Sequence, residues 1–338
     1  MKRKNGMMWV LLCVLLGLCV GATAQEAAAP GNKGIERICM SVRDLEATRA
    51  FFVDHMELTQ VGEGTLDEQT IEALYGMKAN ARYVMLKNDL QTTMIELLEF
   101  DPKPTKTSRE GYNCWDYGYF DVAFRCQDND EAYEKFTALG YEFSCPPYRY
   151  VTSWSNAEVL EAVMIGPDDI PLALMGKTAS TPEFEGMFRN FPDSVLIVES
   201  IAEADRYYVD TLGLTKAFDM VLEDGLVEPI FGIEPGAQVH MTMYMGSGVT
   251  PIVEIISFEK LKGVSMTAEG ASVPANAGTF ATCFEVENLE EALALHEKNG
   301  FAATSGIVEM ELAPHGKIRS AMVSGPSQAM IELFEIEK

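Results

Sequence analysis

The chain repeats itself, and that limits what it can fold into more than any other feature. VRDLEATRAFFVDHMEL from Val42 is echoed by VESIAEADRYYVDTLGL from Val198, and IELLEF around Glu96 by VEIISF around Glu254. FDVAFRCQDNDEAYEKFTALGYEF from Phe120 returns as FATCFEVENLEEALALHEKNGFAA from Phe280, and Gly166-Pro167 returns as Gly325-Pro326. The separation holds at about 156 to 160 positions through all four landmarks. Ordered landmarks at a near-constant offset imply two homologous modules, each of about 145 residues, a common domain size. The expected bounds are 34–177 and 191–338, with 178–190 as a linker.

Each module divides again into two strand–helix–strand units. Asp44 and Ser200 are cap candidates for the first helix of each module, and Glu203 completes a capping box after Ser200. Behind them, Leu45, Thr48, Phe52 and Met56 form one helical stripe, and Ile201, Ala204, Tyr208 and Leu212 form its counterpart. The second helices are expected after Asp128 and Asn288, ending at Gly140 and Gly300. Strand signals flank them: RYVMLKN and TTMIELLEF in the first module, VHMTMYM and PIVEIISF in the second. The pattern predicts an α+β chain of four βαβββ units.

A strand ending in V-x-D-L (Val42 to Leu45), a helix with paired aromatics, an I-E-L strand at Glu96 and a G-P-D turn at Gly166 together resemble the vicinal-oxygen-chelate superfamily. That group includes glyoxalases, bleomycin-resistance proteins and extradiol dioxygenases. The resemblance implies two glyoxalase-like modules whose curved sheets enclose cavities, where a divalent metal usually binds vicinal oxygens of a substrate. Carried over by the V-x-D-L register, the first-strand ligand positions fall on Arg37 and Asp193. The I-E-L positions fall on Glu96 and Glu254, the third on Asp121 and Ala281, and the fourth on Ala173 and Glu332.

None of these is a histidine. The four histidines, His55, His240, His296 and His315, lie elsewhere, so neither a two-His, two-Glu glyoxalase site nor a two-His, one-carboxylate iron site is present. If units adjacent in sequence pair, Arg37, Glu96, Asp121 and Ala173 meet, and Asp193, Glu254, Ala281 and Glu332 meet. Swapped pairing instead joins Arg37, Glu96, Ala281 and Glu332, and separately Asp121, Ala173, Asp193 and Glu254. Arg37 beside carboxylates replaces a metal's charge with a guanidinium, which pairs bidentately with carboxylates. The set Asp193, Glu254 and Glu332 offers oxygen without nitrogen and suits at most a hard divalent ion such as Mg²⁺ or Ca²⁺. The expectation is a site without metal or other cofactor, with Arg37 paired to Glu96 or Asp121.

Strand alternation places Ile38, Met40 and Val42 on one face and Arg37, Cys39 and Ser41 on the other. Asp121, Ala123 and Arg125 alternate likewise against Val122, Phe124 and Cys126. The first module is therefore expected to line a polar ligand pocket with Arg37, Glu96, Asp121 and Arg125, the second to be more apolar. Two functional classes stay open. One is a protein that binds a small hydrophobic or aromatic molecule without catalysis. The other is a lyase or isomerase, less readily a dioxygenase relative, with Glu96 or Asp121 as general base and Arg37 stabilising an oxyanion.

The net charge of −25 opposes nucleic acid and anionic lipid as partners. At the N-terminus, Lys2, Arg3 and Lys4 precede an apolar run from Met7 to Val20, and Ala22-Thr23-Ala24 forms a small-x-small cleavage site. The run is shorter than the roughly 20 residues of a membrane-spanning helix. Residues 1–24 thus read as a signal peptide and 25–33 as a linker, for a periplasmic or secreted protein with no span after cleavage. Five cysteines remain after cleavage, an odd number without a CxxC pair, so the chain is no disulfide scaffold. Cys114 and Cys145, both in expected loops, are the candidate bridge. Mass spectrometry of the protein from its host should find Gln25 as the first residue; an intact Met1 in the soluble cytoplasmic fraction would contradict export.

Overall fold

Two mixed sheets carry the molecule, and each draws one unit from each copy of the repeat. The computed structural model describes residues 32–88, 93–153, 156–176, 184–189, 193–247 and 252–337. The expected signal peptide, residues 1–24, and its expected cleavage site lie outside the described residues. The first unit comprises β1 (Ile35–Ser41), α1 (Leu45–Asp54), β2 (Thr59–Leu66), α2 (Glu68–Tyr75), β3 (Asn80–Lys87) and β4 (Met94–Asp101). The second comprises β5 (Gly118–Cys126), α3 (Asn129–Ala138), β6 (Glu142–Val151), β7 (Glu158–Ile165) and β8 (Pro171–Gly176), followed by the short β9 (Phe188–Arg189). The third holds β10 (Asp193–Ile197), α4 (Ile201–Asp205), β11 (Thr215–Val221), β12 (Val239–Met245) and β13 (Ile252–Phe258). The fourth holds β14 (Gly278–Glu285), α5 (Leu289–Lys298), β15 (Val308–Leu312), β16 (Gly316–Ser324) and β17 (Met330–Ile336).

The first sheet runs β15-β16-β17-β14-β1-β4-β3-β2, and the second runs β11-β12-β13-β10-β5-β8-β7-β6, with β9 added to β5. The first unit therefore pairs with the fourth, and the second with the third, through antiparallel contacts of β1 with β14 and β10 with β5. This is the swapped arrangement. A single polar pocket in the first module does not form, because Arg37 and Glu96 belong to the first sheet while Asp121 and Arg125 belong to the second. Alternation shows which face of a strand a side chain takes; it carries no information about which strand lies alongside.

The register is that of a repeat. Glu96 sits opposite Cys39 in the parallel β1–β4 ladder, and Glu254 sits opposite Val195 in the matching β10–β13 ladder. The predicted helix caps form: the side chains of Asp44, Asp128, Ser200 and Asn288 accept from backbone N–H groups of Ala47, Glu131, Glu203 and Glu291. Each satisfies a donor the helix itself leaves unpaired. One helix departs from its copy. After α4 the chain continues as a π-helical turn, Arg206–Thr211, and both Tyr207 and Tyr208 become fully buried. The regular helix α1 buries the equivalent adjacent rings, Phe51 and Phe52, so the two copies keep the same inward pair on different helical windings.

Helix α2 was not expected from the repeat, since the third unit has no equivalent α-helix. Its signals are local: Asp67 accepts from Thr70 N–H at 2.9 Å, and Gly76 closes it in the left-handed region at φ 67°. Helices and the strand faces turned toward them share one core that includes Ile38, Phe52, Phe124, Leu172, Ile255 and Leu333. Tyr119 of β5 ties the sheets together. Its phenol accepts from Thr282 N–H at 3.0 Å and donates to the Met330 carbonyl at 2.9 Å. Tyr119→Phe removes these two bonds and a third with Thr282 Oγ1 at 2.9 Å from a buried position, and its cost is expected at about 1–3 kcal/mol, read as a lower urea midpoint with an unchanged slope.

Candidate functional site

Arg37 lies at the middle of the first sheet, on the face opposite α1 and α5 and beneath α2, and is fully buried. Its Nε donates to Glu96 Oε2 at 2.9 Å and its Nη2 to Glu332 Oε1 at 2.5 Å. Nη1 lies 3.5 Å from Glu36 Oε2, and the guanidinium stacks 4.6 Å above the Phe334 ring. Ser320 Oγ donates to Glu332 Oε1 at 2.5 Å. Of the four positions that swapped pairing brings together, Arg37, Glu96 and Glu332 supply charge, and Ala281, opposite Cys39, supplies none.

Two thiols complete the cluster. Cys39 Sγ donates to Glu96 Oε2 at 3.2 Å, Cys283 Sγ donates to Glu332 Oε2 at 3.3 Å, and the two sulfurs lie 3.2 Å apart. The arrangement is two-fold in outline, because Cys39 faces Glu96 in one parallel ladder and Cys283 faces Glu332 in the other. Arg37 breaks the symmetry. Burial works against its charge, yet Cys283, Glu332, Glu96 and Glu36 hold its pKa well above the usual value. Burial pushes the Glu96 carboxyl up, against the lowering influence of Arg37. Burial also pushes Cys39 up to about 12 and raises Cys283.

The centre is closed. Helix α2 lays Ile71 and Leu74 into the apolar cluster that holds Cys39, Phe100, Cys283 and Phe334. The Tyr75 ring meets Phe280 edge-on at 5.6 Å. Glu96, the candidate general base, is buried beneath this cover. Nearby, a cleft of about 350 Å³ is lined by Lys33, Glu36, Lys87, Met94, Pro314 and His315. Glu36 links it to the centre, one carboxylate oxygen near Arg37 and the other 2.9 Å from His315 Nε2.

The second sheet gathers Asp121, Arg125, Glu254 and Ala173 on its corresponding face, with Asp193 at the start of β10 in the position equivalent to Arg37. All four of the former are buried. Arg125 donates to the Gly176 carbonyl at 3.0 Å. Tyr150 donates to Glu161 Oε2 at 3.1 Å, and its phenol pKa is raised by burial and by Glu161 and Glu254, with Arg125 opposing. Phe120, Tyr148 and Tyr150 line this face and stay half-buried; the two tyrosine rings stack at 5.7 Å. Arg109 lies 4.9 Å over the Phe120 ring and feels the Asp121 charge.

Sequence profiles of the glyoxalase/bleomycin resistance protein/dioxygenase superfamily match residues 34–154 and 194–316. The chain belongs to that superfamily. Glyoxalase I from Zea mays superposes with a TM-score of 0.58 at 11% identity, covering 89% of this chain and 92% of that one. A variant of the same enzyme gives 0.61 at 12% identity, covering 90% and 93%. A putative dioxygenase from Bacillus subtilis gives 0.57 at 11% identity, covering 92% of this chain and 87% of that one. At such identities the likeness is one of fold. No curated protein sequence matches the chain.

Membership in the glyoxalase/dioxygenase superfamily raises the question of a metal at the family's ligand positions. Cys39, Cys283 and Glu332 do bring ligand atoms within 4.8 Å of one another. The Arg37 guanidinium nonetheless meets both Glu96 and Glu332, and a dication placed between those carboxylates would confront a fixed positive charge. The residues present do not fit the usual metal. Neither Asp121 nor Arg125 reaches this centre, while Arg37, Glu96 and Glu332 do. Cys39 was visible beforehand on a polar strand face, whereas Cys283 lies on a face of the second module expected to be more apolar, and their meeting depended on the pairing. The candidate bridge between Cys114 and Cys145 does not form; both thiols are free.

Arg37→Met leaves two buried carboxylates without their cation, a loss of about 3–5 kcal/mol at neutral pH. The sign follows from Glu96, whose folded-state pKa is raised and rises further without Arg37. A raised carboxyl contributes stability below its unfolded pKa and loses it as pH rises through the folded value. Urea midpoints of the variant should therefore recover toward the parent between pH 7 and pH 5, with a smaller deficit at the lower pH.

Proposed function

We propose that this chain is an exported small-molecule-binding member of the superfamily, in which Arg37 replaces the metal of the first sheet and the ligand lies on the inner face of the second. The observation that carries this reading is the contrast between the two faces. One is sealed around an internal ion cluster; the other keeps half-buried aromatic rings beside charged groups. An apolar surface with a few converging polar groups is the usual composition of a ligand site.

The charge balance there names the ligand class. Asp121, Glu161 and Glu254 supply three carboxylates against the guanidinium groups of Arg109 and Arg125. An excess of anionic groups beside stacked tyrosines suits an amine-bearing or cationic aromatic molecule, which gains from both carboxylates and ring faces. The N-terminal signal supports a periplasmic or secreted setting, and the strongly acidic chain disfavours nucleic acid as a competing partner.

Two measurements test the reading on the mature protein. Metal analysis after purification without added metal should find far less than one Zn, Fe, Ni or Mn per chain; a stoichiometric amount would defeat the Arg-for-metal assignment. Berberine, a fluorescent cationic aromatic, should bind with one-to-one saturation at 150 mM salt, whereas the anionic dye 8-anilinonaphthalene-1-sulfonate should not. Tyr150→Ala and Glu254→Gln should each weaken berberine binding about tenfold, equivalent to about 1.4 kcal/mol. Weakening by Lys87→Ala with no effect of Tyr150→Ala would move the site to the cleft beside Glu36 and overturn the assignment.

A further inference from the structure

We infer that Cys39 and Cys283 form a disulfide that staples the first unit of the chain to the fourth, a modification site inside the first sheet. The two sulfurs lie 3.2 Å apart, and both side chains are wholly buried. They sit on adjacent antiparallel strands: Cys39 is opposite Ala281 and Cys283 opposite Arg37, so the two cysteines flank the same stretch of ladder. Their register sets them two residues out of direct opposition, so forming the bond of about 2.0 Å takes about 1 Å of approach between the sulfurs together with a closing of the two backbones from the roughly 7–8 Å of a diagonal pair. The remaining cysteines do not share this arrangement. Cys126 donates to the Asp128 carbonyl and Cys145 to the Pro146 carbonyl, each on its own strand edge.

The chemistry balances with a small disulfide such as oxidised glutathione as oxidant. One cysteine thiolate attacks a glutathione sulfur, forming a mixed disulfide and expelling a glutathione thiolate. The second thiolate attacks the cysteine sulfur of that mixed disulfide, forming the Cys39–Cys283 bond and expelling the second glutathione. Two electrons pass from the cysteine pair to the oxidant, and the two thiol protons end on the two glutathione thiols.

Burial decides when this exchange takes place. Cys39 is held up to about 12 and Cys283 is raised as well, so neither is a thiolate in the closed sheet at neutral pH. No oxidant reaches them there. The bond is therefore made while β14 docks against β1 and is afterwards shielded from reductants by the same burial. Once formed it removes the S–H donors to Glu96 and Glu332, and Arg37, which still bridges both carboxylates, keeps them paired.

The test uses residues 25–338 unfolded in urea and refolded in a glutathione redox buffer, so its outcome does not depend on where the protein resides in the cell. Alkylation with iodoacetamide under denaturing, non-reducing conditions, followed by peptide mapping, should find Cys39 linked to Cys283 and Cys114, Cys126 and Cys145 alkylated. The linked form should persist in 5 mM reduced glutathione under native conditions and be lost within minutes in urea. Its urea midpoint should exceed that of Cys283→Ala refolded in the same buffer. Alkylation of both Cys39 and Cys283 after refolding to a native spectrum would overturn the inference, as would linkage of either to another cysteine. Retention of one Zn²⁺ or Cu⁺ by the reduced pair, blocking the linkage, would overturn it too.

Discussion

Everything in the first sheet turns on one buried cation. Arg37 comes from the opening strand, Glu96 from the end of the same unit, and Glu332 from the last strand of the chain, so a single guanidinium joins three separate stretches of sequence. Two ionised carboxylates this close in a dry interior would repel strongly, and burial alone already favours the neutral form of Glu96. The guanidinium relieves both effects because its planar fork offers separate donors in fixed directions, which an ammonium does not. Around that contact the sheet is free to close, with Phe334 under the guanidinium and α2 over the opening.

The pairing of first unit with fourth and second with third gives the two sheets different fates from similar sequences. Equivalent positions carry Arg37 and Asp193, Ala281 and Asp121, Glu332 and Ala173. The first sheet thereby acquires an internally compensated set. The second acquires an acidic one, and its covering segment between β11 and β12 is a short 3₁₀ turn, Glu228–Phe231, where the first sheet has a capped helix. Duplication supplied two similar scaffolds, and substitution at a few inward positions made one of them a core.

Much of this was legible from residue order. The repeat offset placed Glu96 and Glu254 on equivalent strands, and Asp44, Asp128, Ser200 and Asn288 announced helix starts because short polar side chains at those positions satisfy orphan N–H groups. Alternation put Arg37 and Cys39 on the inner face. What it left open was the partner strand, since β1 presents the same face whether β5 or β14 lies beside it. Asp121 and Arg125 were for that reason grouped with Arg37, although they lie in the other sheet. The π-helical turn at Arg206–Thr211 was hidden for another cause: its copy, α1, is regular, and at the departure Tyr207 packs against His296 and Phe301 of a distant unit while Tyr208 packs against Tyr244 and Phe284.

The order of units along the chain also sets the order in which the protein can be completed. Units two and three are neighbours in sequence, and β5 meets β10 across a span of tens of residues. The contact of β1 with β14 joins positions 244 apart, and that of Arg37 with Glu332 joins positions 295 apart. Long-range pairings form late, because the chain between them must be ordered first. A chain without β14 to β17 would leave one edge of β1 unpaired and Arg37 without Glu332, so the fourth unit acts as the clasp of the first sheet.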